Sequence, residues 1–116
     1  MNYFSKETDP KIDWDKIDMP TLERLDIARG KAGIPYEITR TYSTPEHSVS
    51  VGGTATDAHT DNPCKAFDIV CIGDENRAKI LGSCWEVGFR RFGINNINGH
   101  IHVDDSDRPS PAIWIE

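Results

Sequence analysis

No stretch of the 116 residues approaches the roughly 18 consecutive apolar residues of a membrane-spanning helix, so a transmembrane anchor is not expected. The opening segment, Met1 to Trp14, is polar and charged and has no apolar core of a secretion signal. Basic residues are in the minority, 13 Lys and Arg against 19 Asp and Glu, giving a net charge of -6 and a pI near 5.1. Without a basic stripe to neutralise phosphates, nucleic acid is not an expected partner. Arg90-Arg91 is the nearest approach to one and reads as a solvated strand edge. The same acidity opposes attraction to anionic lipid, so no membrane partner is expected either. Cysteines number only three, Cys64, Cys71 and Cys84, and no two form a C-x-x-C pair. An odd set makes a reduced, intracellular chain the simpler reading, with one disulfide plus one free thiol as the alternative. Cys71 and Cys84 fall in apolar runs as small core residues, and Cys64 reads as a bystander in a polar loop. Repeats, low-complexity tracts and linkers are missing too, which leaves one domain, residues 1–116. A chain of this size buries roughly two thirds of its unfolded surface, enough for one core.

What is present reads as alternating elements of both kinds. Residues 1–17 form a loosely packed lead-in with Ile12, Trp14 and Ile17 as anchors, and the core runs from 18 to 116. Met19-Pro20-Thr21 opens a helix with proline in its first turn, and Leu22, Leu25, Ala28 and Ala32 give it one apolar face. Gly30, Gly33 and Pro35 end it. Tyr36 to Tyr42 alternates as a strand, and residues 43–65 are turn chemistry throughout, a long loop of the kind that usually serves function. Ala66 to Ile72 is an apolar strand interrupted by one carboxylate. A second helix starts at Gly73-Asp74 and presents Ala78, Leu81, Trp85 and Gly88 as its buried stripe. Three short strands follow at 91–94, 100–104 and 112–115. The order predicts a single α+β domain with two helices and a mainly antiparallel sheet.

His100-Ile101-His102 is the sharpest chemical feature. Residues two apart on a strand share a face, so both imidazoles project together and suit a borderline metal such as zinc. Asp68 stands at the centre of Ala-Phe-Asp-Ile-Val, where burial without a partner would cost several kcal/mol. It therefore needs an ion pair, a set of backbone N–H donors, or a metal. His59 lies nine positions earlier on the glycine- and proline-rich loop. A loop histidine, a strand carboxylate and a distant strand histidine make the three-ligand pattern of a catalytic zinc site, which keeps its fourth position open.

In order and content these stretches resemble the zinc D-alanyl-D-alanine carboxypeptidase family, which shares its fold with the Hedgehog signalling domain. The family pattern runs S-G-Y-R-S, P-E-H-N, G-G, S-x-H-x-x-G-x-A-x-D and, near its end, H-V-D. Here the corresponding stretches are 38–47 (Ile-Thr-Arg-Thr-Tyr-Ser-Thr-Pro-Glu-His), Val51-Gly-Gly53, Asp57-Ala-His59, Lys65-Ala-Phe-Asp68 and 100–104 (His-Ile-His-Val-Asp). Residues 88–94 (Gly-Phe-Arg-Arg-Phe-Gly-Ile) and Trp114 match further family features, so the likeness covers about residues 20 to 115. The resemblance implies zinc held by His59, Asp68 and His102, and places His100 where a second histidine stabilises the tetrahedral intermediate. It further implies a peptidoglycan stem peptide as substrate, with Arg40 and Tyr42 the candidate substrate-binding residues. The chain would act as a monomer, made in the cytoplasm and reaching the cell wall on release or export, as a phage or bacterial enzyme does.

The sequence departs from the pattern at four places. The His59–Asp68 interval is two residues longer than usual, and the serine two before the metal histidine is Asp57. The family's substrate-holding arginine is replaced by Ser43, with Arg40 three positions earlier, a spacing that on a continuous strand would turn it to the opposite side. Gly99 stands where many relatives carry an acidic general base. That leaves His100, and after it Asp104, as the proton-handling candidates. Two other readings compete with a carboxypeptidase: a lysostaphin-like endopeptidase, and a zinc-retaining binding module of the same fold.

Overall fold

Alternation and capping explain most of the architecture in the computed structural model, which describes residues 1–116. Helix α1 (Met19–Ala32) starts where Asp18 accepts the Thr21 N–H, and it stops at Gly33, whose φ of 70° is left-handed. Strand β1 (Ile38–Arg40) leads to a short helix α2 (Pro45–Ser50), a 3₁₀ turn η1 (Ala58–Thr60) and strand β2 (Ala66–Val70). Helix α3 (Asp74–Glu86) then precedes β3 (Arg91–Asn95), β4 (His100–Asp104) and β5 (Ala112–Ile115). One sheet takes the order β1-β2-β4-β3-β5, antiparallel except for the parallel β3–β5 pair. The α+β class with a mainly antiparallel sheet is as the sequence predicts.

Phe67, Ile69, Phe92, Ile101 and Val103 point to one side of the sheet. There they form a single core with Leu22, Leu25 and Ala28 of α1 and Ile80 and Cys84 of α3. The opposite side carries Asp68, His100, His102 and Asp104, and loops 41–61 and 105–111 cover it. The period of two thus assigns every second residue to chemistry.

Three expectations need correction. Helices number three, not two, because residues 45–50 are helical: Thr44 caps α2 by accepting the His47 N–H, and Pro45 sits at its first position. The buried face of α3 is Ile80, Ser83 and Cys84, whereas Ala78 is exposed and Trp85 is 44% exposed. Ser83 can face the core because its hydroxyl donates to the Lys79 carbonyl and meets the Tyr36 hydroxyl. The lead-in is not loose, since Phe4, Ile12 and Ile17 are all buried.

A buried carboxylate ties that lead-in down. Asp26 of α1, 4% exposed, accepts the backbone N–H groups of Asn2, Tyr3 and Phe4 at 2.9, 2.9 and 3.0 Å. Further along, Cys64 and Ile17 form an isolated parallel bridge, with Asp18 N–H to Cys64 O and Cys64 N–H to Lys16 O both at 2.8 Å. Cys64 is therefore buried in the core, and it stands outside the group able to hold a metal, a bystander to that site as the sequence suggests. Removing the Asp26 acceptor strands three donors, and hydrogen bonds to a charged group are worth about 1.5–3 kcal/mol. Asp26→Ala is expected to lose about 2–3 kcal/mol in a denaturant titration. A change below about 0.5 kcal/mol, the range of ordinary surface substitutions, would show that the lead-in is not held this way.

Candidate functional site

One cross-sheet row assembles the centre. Arg40 pairs with Asp68, Asp68 with His102, His102 with Gly93, and Gly93 with Trp114, so the row crosses all five strands. His59 joins from above on η1. The Asp57 carboxylate caps that turn by accepting the His59 N–H at 3.0 Å. Serine and aspartate are both good caps, so Asp57 fills the structural place of the family serine. The two extra residues between His59 and Asp68 are absorbed away from the centre, where Cys64 pairs with Ile17 and Asp61 takes both terminal nitrogens of Arg108.

The three expected ligands converge. His59 Nε2 lies 3.1 Å from Asp68 Oδ1 and 3.1 Å from His102 Nδ1, and His102 Nδ1 lies 3.2 Å from the same Asp68 oxygen. Donors arranged tetrahedrally at ~2.0–2.2 Å from one zinc stand about 3.3–3.6 Å apart, so a small widening of the trio reaches that spacing. The other nitrogen of each ring is already committed. His59 Nδ1–H donates to the Thr41 carbonyl at 2.6 Å, and His102 Nε2–H donates to Asp104 Oδ2 at 2.6 Å. In its neutral form each ring, with the proton on the outer nitrogen, would turn a lone pair toward the common centre beside a carboxylate oxygen, a set of donors that suits a cation.

The electrostatics agree. Burial opposes charge on Asp68, yet hydrogen bonds from His102 and His59 and their positive charge hold its carboxyl far below the usual carboxylate range. Burial opposes charge on His102 as well, but Asp104 and Asp68 together push its imidazole up to about 9. Two carboxylates flanking two inward-facing rings thus call for positive charge between them. His59, Asp68 and His102 are all buried and form a group able to hold a metal ion.

Above the trio opens a cavity of about 620 Å³, lined mostly by polar and charged residues. Arg40 reaches into it, contrary to the alternation argument. β1 ends at Arg40, so strand geometry says nothing about position 43. Its Nε donates to Ser43 Oγ at 2.9 Å and its Nη2 to Ser48 Oγ at 2.7 Å, while Nη1 lies 4.0 Å from Asp68 Oδ2. Tyr42 does not line this cavity. It packs against the core, with Lys16 Nζ 5.2 Å from its ring centre. Asp104 is also outside it, fully buried behind His102 and saturated by Arg91 Nε at 2.9 Å and by the Ser106 N–H and hydroxyl. Hydrogen bonds from His102 and Ser106 overcome its burial and keep it ionised. Asp104 therefore orients a ligand histidine and does not handle substrate protons.

His100 does line the cavity. Its Nε2 is 3.9 Å from Asp68 Oδ2 and 3.1 Å from Glu116 Oε1. The sequence reading missed Glu116, along with His47, Arg91 and Arg108 on the cavity wall. Trp114 lies against the His102 ring at a centroid distance of 5.4 Å, and the Arg91 guanidinium covers the indole at 5.0 Å. The indole comes so near because Gly93 has no side chain, as a Cβ there would lie 2.6 Å from Trp114 Nε1.

No curated protein and no solved structure matches the chain. The sequence profile of the peptidase M15 family matches residues 4–104, a span that contains all three converging ligands and His100. With that span and this donor set, the chain belongs to the peptidase M15 family, whose members are zinc metallopeptidases of the D-Ala-D-Ala carboxypeptidase type.

Proposed function

We propose that the protein is a zinc-dependent peptidase that hydrolyses a peptide bond in peptidoglycan stem peptides, acting at the cell wall after release or export. The observation that carries this is the convergence of His59 Nε2, Asp68 Oδ1 and His102 Nδ1 within 3.2 Å of one another at the base of an open polar cavity. A structural zinc site would be closed by a fourth protein ligand, whereas three ligands beside a cavity leave room for water and substrate. Zinc held there would polarise the scissile carbonyl and lower the pKa of a water toward ~7.

The chain's own residues do the rest. The Thr41 carbonyl and Asp104 fix the tautomers of His59 and His102, which keeps the inward nitrogens free of protons. Trp114 shields the outer side of His102 from water. Arg40 Nη1, with no hydrogen bond of its own, is the group to hold a substrate carbonyl or carboxylate, and Ser43 and Ser48 preorganise the guanidinium for that task. His100 faces the cavity beside Asp68, placed to meet the oxygen on which negative charge develops.

Digestion of purified peptidoglycan fragments, followed by mass spectrometry with and without a chelator, tests this directly. Chelator-sensitive cleavage is expected, with loss of a terminal D-alanine marking a carboxypeptidase and shorter stem fragments an endopeptidase. A fully zinc-loaded protein that cleaves nothing would overturn the peptidase reading and leave a zinc-retaining binding module.

A further inference from the structure

Three carboxylates line the cavity: Asp57, Asp68 and Glu116. Asp57 is occupied in capping η1 and lies 3.8 Å from Arg40 Nη2. Asp68 turns Oδ1 to the two ligand histidines. Glu116 alone is uncommitted to the metal trio or a cap. The position three before His102 cannot supply another, because Gly99 has φ 70° in the β3–β4 turn, a conformation L side chains rarely adopt.

Glu116 is held in place from three directions. Its backbone N–H donates to the Ile94 carbonyl at 2.9 Å, which continues the β3–β5 pairing by one residue. The Trp114 indole N–H donates to Oε2 at 3.3 Å. A Cβ on Gly93 would stand 2.6 Å from that same oxygen, so the carboxylate occupies space that only glycine leaves open. Its other oxygen, Oε1, takes the His100 Nε2 contact at 3.1 Å. Both side chains are partly covered, His100 at 19% and Glu116 at 30% exposure.

From this geometry we infer that Glu116 is the positioning residue for His100, supplying from the end of β5 the cavity carboxylate that the chain lacks at position 99. An imidazole at the start of a strand has a broad, two-fold preference about its outer torsion, so an unrestrained ring would sample poses pointing away from Asp68. Accepting a hydrogen bond from Nε2 fixes the ring plane and keeps that edge toward the metal ligands. The inference rests on the peptidase reading, since only there does the pose of His100 have work to do.

Its test is a double-mutant cycle. Glu116→Ala and Glu116→Gln are made in the parent and in the His100→Ala background, and zinc content, kcat and KM are measured on a stem peptide. Glu116→Ala is expected to keep one zinc per chain and its KM, and to lose about 10–100-fold in kcat, the usual effect of removing an outer partner at a metal site. Glu116→Gln keeps an acceptor of the same shape and so retains more activity. In the His100→Ala background neither change should lower kcat further, because the residue acts through the ring that is gone. Independent, multiplicative losses, or an unchanged kcat in Glu116→Ala, would overturn the inference. A readout free of turnover accompanies these: the ring ¹⁵N signals of His100 in the zinc-loaded protein without substrate. A slowly exchanging Nε2–H present in the parent and lost in Glu116→Ala is expected. Identical ring signals in both would refute the contact, even if the parent cleaves nothing and the peptidase reading falls with it.

Discussion

Asp68→Asn is expected to abolish metal binding and activity together and to lower the melting temperature of the protein by roughly 10 °C. One carboxylate oxygen sits 3.1 and 3.2 Å from the two ligand nitrogens. An amide there offers a neutral oxygen or a hydrogen-bond donor, and neither balances a divalent ion as the carboxylate does. Zinc bound to the folded state only, at about a hundred times its Kd, stabilises by about 2.7 kcal/mol. For a domain of this length each kcal/mol moves the melting temperature by roughly 3–5 °C, hence the expected shift. The parent in chelator should fall by the same amount, and Asp68→Asn should show no further change with chelator. Elemental analysis and paired melting curves decide the matter. Equal zinc content in parent and variant, or a parent curve that ignores the chelator, would mean that the trio is a structural ion-pair cluster and not a metal centre.

The same carboxylate shows what a sequence can and cannot disclose. Asp68 announces itself because a charge inside Ala-Phe-Asp-Ile-Val requires a partner, and H-x-H discloses two imidazoles on one face through the period of two alone. Strands β3, β4 and β5 are legible for the same reason. Arg40 was harder, since the alternation argument assumes an unbroken strand, and β1 is only three residues long. The buried side of α3 escaped because Ser83 counts as polar by composition, while its hydroxyl is satisfied by Lys79 and Tyr36 inside the core. Helix α2 carried a start signal in Thr44-Pro45, but six residues give too little periodicity to register. Glu116 left the faintest trace. It shares a strand face with Trp114, yet its meeting with His100 depends on β5 pairing parallel to β3, a register between distant segments that no local pattern encodes.

His100→Ala carries the other large effect, and it separates an enzyme from a binding module. The ring is partly covered, faces the cavity and lies 3.9 Å from Asp68 Oδ2 without joining the metal trio. Truncating it leaves His59, Asp68 and His102 with their hydrogen bonds to Thr41 and Asp104 intact, so zinc content and melting temperature should stay close to the parent's. Activity should not. A donor aimed at an oxygen that gains charge only in the transition state is worth about 10²–10³ in rate, or about 2.7–4 kcal/mol. Because that interaction is absent in the ground state, kcat and kcat/KM should fall together while KM holds. Loss of zinc in the variant would instead make His100 a ligand, and the centre would have three histidines and a carboxylate. Full activity on stem-peptide fragments would show that the ring does not stabilise the transition state. Asp104 could not take over, since Arg91, Ser106 and His102 saturate it where it lies buried behind the His102 ring. The role would then pass to Arg40, whose unbonded Nη1 is the remaining cationic donor beside Asp68.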